Sequence, residues 1–161
     1  MNNQRYQVLT TWLLRIIGGS ICLAFVPIFF PLTWMDWLHA KASLGPIPTE
    51  PIFEYLARST SAMYFAHGCV VLLASFDVRR FLPLVWLIGF LNLFCGGVLL
   101  GTDLLAPMPP LWTWFEGPPI MCGGLLLLWL TSQASRELQL EAVEKVSDQT
   151  TKHTASERQD A

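Results

Sequence analysis

The stretch PIFEYLARSTSAMYFAHGCVVLLA, residues 51–74, places ionisable side chains in a segment that is apolar enough to cross a lipid bilayer. Its ionisable residues include Glu54, Arg58 and His67. A charged side chain is costly in lipid, so it normally faces a neighbouring helix, a wet cavity or a ligand. We therefore interpret this stretch as one of several membrane-spanning helices, and its polar residues as candidates for a functional site.

The composition of the whole chain is that of a membrane protein. Of the 161 residues, 53% are hydrophobic and only 14% are charged, and the mean hydropathy is +0.45. Such a composition is too apolar for an ordinary soluble domain of this size. The formal net charge of -2, without a Lys/Arg cluster on a folded face, argues against nucleic-acid binding. The predicted partners are the lipid bilayer and either a second copy of the chain or another membrane protein.

Four apolar segments, at about residues 8–30, 52–75, 81–100 and 111–132, are each long enough to cross a hydrocarbon core of roughly 30 Å. The sequence thus predicts an all-α, integral membrane four-helix bundle within residues 1–133. Between the first two spans, Thr33 and Asp36 have the spacing of a capping box, and Trp34 and Trp37 lie on one side. This pattern predicts a short interfacial helix. Residues 134–161 are polar with mixed charge, which predicts a largely disordered tail.

The arginines predict the orientation of the spans. Short loops rich in Lys and Arg stay on the cytoplasmic side of a membrane. Arg5, Arg79, Arg80 and Arg136 therefore predict that both chain ends and the turn after the second span are cytoplasmic. Tryptophans fit two interfacial belts, an inner one at Trp12, Trp86 and Trp129 and an outer one at Trp34, Trp37, Trp112 and Trp114.

The cysteines predict neither a metal site nor a bound cofactor. One cysteine falls in each predicted span, and none has the C-x-x-C or Cys/His spacing that holds zinc or haem. Free cysteine is among the most buried residue types, so we expect small buried side chains here. These residues are Cys22, Cys69, Cys95 and Cys122.

Under this topology, four ionisable residues fall at the outer end of the bundle: Glu54, Arg58, Asp103 and Glu116. In one hypothesis they form a polar network that joins the helix ends. In the other they line an outward-facing pocket, where Arg58 holds an anionic or polar head group and one carboxylate handles protons. Secondary candidates are Tyr64, His67 and Asn92, and the simplest role for Asn92 is an interhelical hydrogen bond.

Glu116 has two interpretations, because Pro118 and Pro119 follow it. If the fourth helix begins near Leu111, the prolines remove donors from its interior and leave backbone carbonyls free beside a carboxylate. Interrupted membrane helices of this kind often mark ion or substrate sites. If the helix instead begins at Pro118, Glu116 lies in the outer headgroup region.

The motifs EYLARSTS at residues 54–61 and WTWFEGP at residues 112–118 accompany four short spans. This arrangement resembles small bacterial inner-membrane proteins and, in size and topology over residues 8–132, the DoxX-like group. The resemblance implies a bacterial inner membrane as the location. Some DoxX-like proteins are associated with quinone-linked oxidoreductases, but no functional residue of that group matches a position here.

Three functions stay open from the sequence. The first is a non-enzymatic membrane protein that binds a small polar or amphipathic ligand, or a protein partner, at its outer face. The second is an enzyme or oxidoreductase subunit in which His67 or Glu116 moves protons near a quinone-like or lipid substrate. The third is an oligomeric transporter. The sequence has no haem-type His pair, metal cluster or nucleophile motif, which counts against the second.

Overall fold

The structure is a computed structural model that describes residues 5–106 and 108–159, and every regular element in this part of the chain is a helix. The helices are α1 (Arg5–Cys22), continued by a 3₁₀ segment (Leu23–Phe29), α2 (Leu32–Lys41), α3 (Pro51–Phe76), α4 (Leu82–Leu105), α5 (Pro110–Phe115) and α6 (Gly117–Gln159). The predictions for residues 1–4 and for the last two residues of the tail lie outside the described residues.

Three helices are long and apolar enough to cross a membrane: Arg5–Phe29, Pro51–Phe76 and Leu82–Leu105. They correspond to the first three predicted spans. The fourth predicted span, 111–132, is divided between α5 and α6 and does not join this group among the residues described. Helix α6 opens with Gly117, Pro118 and Pro119 and becomes polar after Leu130, so its leucine-rich part is short.

The four long helices pack side by side. Helix α1 packs on α3, α4 packs on α6, and the two pairs meet through α1 and α6, whereas α3 and α4 make few direct contacts. We call the end of the helices that carries Arg5 and residues 77–81 the turn end, and the end that carries α2 and α5 the loop end. The buried core lies nearer the turn end and consists of Leu14, Val71, Ala74, Val78, Val85, Ile88 and Leu127.

Glycines let α4 and α6 meet at backbone distance. A Cβ atom on Gly124 would stand 2.7 Å from the backbone nitrogen of Leu93 and 2.9 Å from the carbonyl oxygen of Gly89. A Cβ atom on Gly117 would likewise stand 2.9 Å from the carbonyl oxygen of Gly96. Small residues that allow such close approach are typical of helix packing in membranes. The contacts of Gly89 with Gly124 and of Gly96 with Gly117 show that the two helices are antiparallel, and they fix the register between them.

Helix α2 agrees with the predicted interfacial helix in position and in its aromatic surface, where Trp34 and Trp37 are each 59% exposed. The predicted capping box is wrong. Pro31 occupies the N-cap, no side chain caps the helix, and Thr33 already lies within the first turn. Asp36 Oδ1 instead accepts a hydrogen bond from the backbone N–H of Ile47 at 3.0 Å, which fastens the following loop to α2.

Helix α6 continues to Gln159. The composition instead predicts a largely disordered tail after Gln133. Residues 134–147 contain neither Gly nor Pro and are rich in strong helix formers, so the helix has no local reason to stop. A contact with the turn end supports this extension. Arg79 lies 3.4 Å from the carboxylate of Glu141 and donates a hydrogen bond to Gln7 Oε1 at 2.8 Å.

Replacing Arg79 with alanine should loosen this extension at a small cost in stability. The Arg79–Glu141 pair is partly exposed, so we expect a loss of about 0.5–1 kcal/mol in the free energy of unfolding. Hydrogen–deuterium exchange over residues 134–147 should become faster. Arg80→Ala is the control. It removes a positive charge from the same turn, but the Arg80 guanidinium lies over the ring of Phe81 and not beside Glu141. Equal exchange in the two variants would contradict the role of Arg79.

Candidate functional site

Arg58 is engaged in structural contacts at the loop end. Its Nε and Nη2 atoms donate to Glu54 Oε1 at 3.0 and 2.8 Å. Its Nη2 atom also donates to the carbonyl oxygen of Phe30 at 3.1 Å, and its Nη1 atom donates to the carbonyl oxygen of Ile28. The last carbonyls of a helix lack partners within that helix. Arg58 therefore caps the end of the 3₁₀ segment and joins α3 to it.

This geometry divides the predicted cluster of four ionisable residues into two groups. Glu54 and Arg58 form an ion pair against the 3₁₀ segment. In the part of the chain that the structure describes, no ion pair joins Arg58 to Asp103 or Glu116. With Nε, Nη1 and Nη2 all engaged, Arg58 fits the structural hypothesis better than the hypothesis of a head-group ligand.

Asp103 and Glu116 form the second group. Glu116 occupies the break between α5 and α6, where its backbone N–H donates to the carbonyl oxygen of Trp112 at 3.0 Å and so closes α5. Next to it, Gly117 lies in backbone contact with α4. Trp112 and Asp103 are both close enough to the Glu116 carboxylate to act on it electrostatically. The two acids thus share one site.

The break itself follows from the sequence. Pro118 and Pro119 have no N–H groups to donate to the carbonyls of Trp114 and Phe115, so α5 cannot run on as a regular helix. Proline is well tolerated in a first helical turn, so the same residues can open α6. Helix is present on both sides of Glu116, as in the first of the two interpretations of this segment, but α6 begins at Gly117, one residue from the start that the second predicts. The depth of Glu116 in a membrane stays a prediction.

Asp103 is the least satisfied polar residue described at the loop end. The residue is only 7% exposed, and its Oδ2 atom has no hydrogen-bond partner among the described residues. Burying a carboxylate without a partner costs several kcal/mol unless a proton or a cation neutralises it. The site therefore lacks a positive partner for this side chain.

The secondary candidates have different surroundings. Tyr64, on α3, has both Glu116 and Cys95 as electrostatic neighbours, so it faces the site across the gap between α3 and α4. Asn92 is buried where α4 packs on α6, beside Gly124, and its interhelical hydrogen bond stays a prediction. His67 lies half-buried one turn from Tyr64.

The prediction of buried cysteines is wrong. Cys69, Cys95 and Cys122 are exposed, and Cys22 is partly exposed. On a lipid-facing helix surface, apolar side chains need no protein cover, so the usual burial of cysteine does not apply. Cys95 lies eight residues before Asp103, so it is turned about 80° away from Asp103 around α4 and lies on an exposed surface.

A pocket of about 400 Å³ is lined by Glu116. Its lining residues are Ala42, Leu111, Trp112, Phe115, Glu116 and Ile120. The walls are thus apolar and aromatic, with Glu116 as the one carboxylate among them. Pockets that bind small molecules commonly combine apolar walls with a few polar groups. Across residues 5–106 and 108–159, no group of three or more His, Cys, Asp or Glu side chains is placed to hold a metal ion.

The site has to be interpreted from its own geometry. No family model, curated protein or solved structure matches this chain.

Proposed function

We propose that the chain is a multi-pass protein of a bacterial inner membrane in which the first part of α6 makes a fourth pass and completes a four-helix bundle. The packing supports this proposal, because α6 lies against both α1 and α4, two of the helices that are apolar enough to cross a membrane. A bilayer that contains α1 and α4 would surround this part of α6 as well. The bacterial location rests on the predicted resemblance to DoxX-like proteins and stays part of the proposal.

The proposed orientation puts the turn end in the cytosol. Arg79 and Arg80 lie in the turn between α3 and α4, and Arg5 begins α1 at the same end. Positively charged residues in short loops favour the cytoplasmic side. The loop end, with Asp103, Glu116 and the adjoining pocket, then faces the outside.

The proposed function is binding of a small amphipathic ligand at the loop end. One observation carries this proposal: the buried, unpartnered carboxylate of Asp103 lies beside Glu116, which lines an apolar pocket. Such a site offers an apolar ligand surface and a polar group that fixes orientation. The break before α6 also favours an oligomeric transporter as a second candidate, because acids beside interrupted helices occur at transport sites.

Thermal unfolding in dodecyl maltoside tests the proposed function with a panel of cationic, neutral and anionic amphiphiles. A ligand at 100 times its Kd stabilises the folded state by about 2.7 kcal/mol, so at least one amphiphile should raise the Tm. Asp103→Asn should lose this shift while the unliganded protein is at least as stable as before, because an unpartnered buried charge is removed. Glu116→Gln should lose it too.

Glu50→Gln is the matched control, because Glu50 is an exposed carboxylate at the start of α3 that caps no helix through its side chain. This variant should keep the full Tm shift. A panel in which no amphiphile stabilises the wild-type chain would overturn the proposed function. A shift that persists in Asp103→Asn and Glu116→Gln would place the binding elsewhere.

A further inference from the structure

We propose that the ligand of this site is an amphipathic organic cation. Its ammonium head would lie between the carboxylates of Asp103 and Glu116, and its apolar part would pack against Trp112 and Phe115. This inference rests on the proposed function, since it names the chemical class of the ligand that the loop end binds.

The charge of the site selects a cation. In the described part of the chain, neither Asp103 nor Glu116 takes part in an ion pair. The nearby basic groups of the loop end are used elsewhere: Arg58 holds Glu54 and two backbone carbonyls, and Lys41 lies 6.0 Å from the ring centroid of Trp37. Two acids without a basic partner repel an anionic head group and attract a positive one.

The pocket walls select an organic cation over a hydrated metal ion. Calcium takes about six to eight oxygen ligands, and the described residues bring no three acidic, His or Cys side chains together for a metal. The walls offered by Leu111, Trp112, Phe115 and Ile120 are apolar. Aromatic rings, Trp above all, attract ammonium groups through the negative face of the ring. An ion with an apolar part uses both features.

The size of the pocket suits a ligand of one ring and an ammonium group. About 400 Å³ falls within the range of roughly 300–1,000 Å³ that is usual for small-molecule pockets. The ammonium head needs a carboxylate at one end of this space. Glu116 meets that need because it lines the pocket and has Asp103 as its electrostatic neighbour.

Three probes test the charge selectivity directly. Benzyltrimethylammonium, neopentylbenzene and benzylsulfonate share a phenylmethyl group and carry a positive, a zero and a negative charge. Isothermal titration calorimetry on the full chain in dodecyl maltoside, with empty micelles as the blank, should give at least tenfold tighter binding of the cation. Glu116→Gln and Asp103→Asn should each weaken cation binding at least tenfold, and Glu50→Gln should leave it unchanged.

The same chemistry has two sources, a free amine and the ammonium head of a membrane lipid. Titration in the presence of added phosphatidylethanolamine distinguishes them. Competition by this lipid would support the inference with a lipid head group as the ligand, and an unchanged affinity would support it with a free amine.

The outcomes separate this inference from the proposed function. Tighter binding of benzylsulfonate than of the cation would overturn the cationic ligand and leave an amphipathic ligand at the site. Tighter binding of neopentylbenzene would overturn the cationic ligand and also the polar head group that the proposed function requires. Binding of none of the three, together with no Tm shift from any amphiphile, would overturn both. The selectivity of the wild-type chain decides the matter even if a variant fails to fold.

Discussion

Replacing Gly124 with alanine should lower the free energy of unfolding by about 1–3 kcal/mol, because the added methyl group meets backbone rather than flexible side chain. Its Cβ would stand 2.7 Å from the nitrogen of Leu93 and 2.9 Å from the carbonyl oxygen of Gly89. Neither atom can move without a shift of α4. The two helices would have to separate along their whole shared face, which also carries the Gly96–Gly117 contact.

Gly97→Ala is the matched control for this prediction. Gly97 lies on α4 next to Gly96, but an added Cβ would meet nothing within 4 Å. Alanine is favoured over glycine in a helix by roughly 0.5–1 kcal/mol, so this variant should be neutral or slightly more stable. Equilibrium unfolding with SDS in dodecyl maltoside micelles measures both. Equal stability of the two variants would show that α4 and α6 do not meet at backbone distance.

Replacing Arg58 with alanine should cost about 2–3 kcal/mol of unfolding free energy. The variant loses charge-assisted hydrogen bonds to the carbonyl oxygens of Ile28 and Phe30 and leaves Glu54 without its partner. The estimate lies below the roughly 3–5 kcal/mol that breaking a buried pair costs, because the Arg58 side chain is 35% exposed. The end of the 3₁₀ segment should fray first, with faster hydrogen exchange over residues 28–30.

Glu54→Gln separates the two roles of Arg58. This variant removes the ion pair but keeps the caps on the backbone carbonyls, so it should cost no more than about 1 kcal/mol. Folded Arg58→Ala protein should still bind benzyltrimethylammonium with wild-type affinity, since the guanidinium holds no ligand in this account. A stable Arg58→Ala protein that has lost ligand binding would instead restore Arg58 as a ligand-holding residue.

The helices were predictable from the sequence because uninterrupted apolar segments of this length have few alternatives in lipid. The first three predicted spans and the predicted short helix between the first two agree in position with α1, α3, α4 and α2. The fourth predicted span differs because proline interrupts a regular helix, which the apolar content of residues 111–132 does not reveal. Pro118 and Pro119 divide this segment into α5 and α6.

The sequence does not predict which helices pack against each other. Gly89 and Gly96 on α4 are seven residues apart, as are Gly117 and Gly124 on α6, and this common spacing was the available signal. Spacing alone does not tell which helices meet. Gly97 lies in the same apolar stretch of α4 as Gly96, but a Cβ atom added to Gly97 would have no atom within 4 Å.

The candidate site was only partly predictable for the same reason. Depth along the helices grouped Glu54, Arg58, Asp103 and Glu116, but the rotation of each helix decides which side chains face each other. Arg58 faces the 3₁₀ segment, whereas Asp103 and Glu116 share a site. The sequence predicts Trp112 only as an interfacial residue, because its proximity to Glu116 depends on the fold of α5.

Cross-linking in native membranes tests the central claim, that Asp103 and Glu116 share one site. In a chain whose four cysteines are replaced by alanine, the double variant Asp103→Cys/Glu116→Cys is treated with a short bifunctional thiol reagent. We expect rapid cross-linking within one chain, detected by mass spectrometry, and loss of this reaction after unfolding in SDS. The control Thr102→Cys/Glu116→Cys should react more slowly, because Thr102 is exposed on the outer surface of α4. Equal rates for the two pairs, or no cross-link between positions 103 and 116, would contradict the central claim.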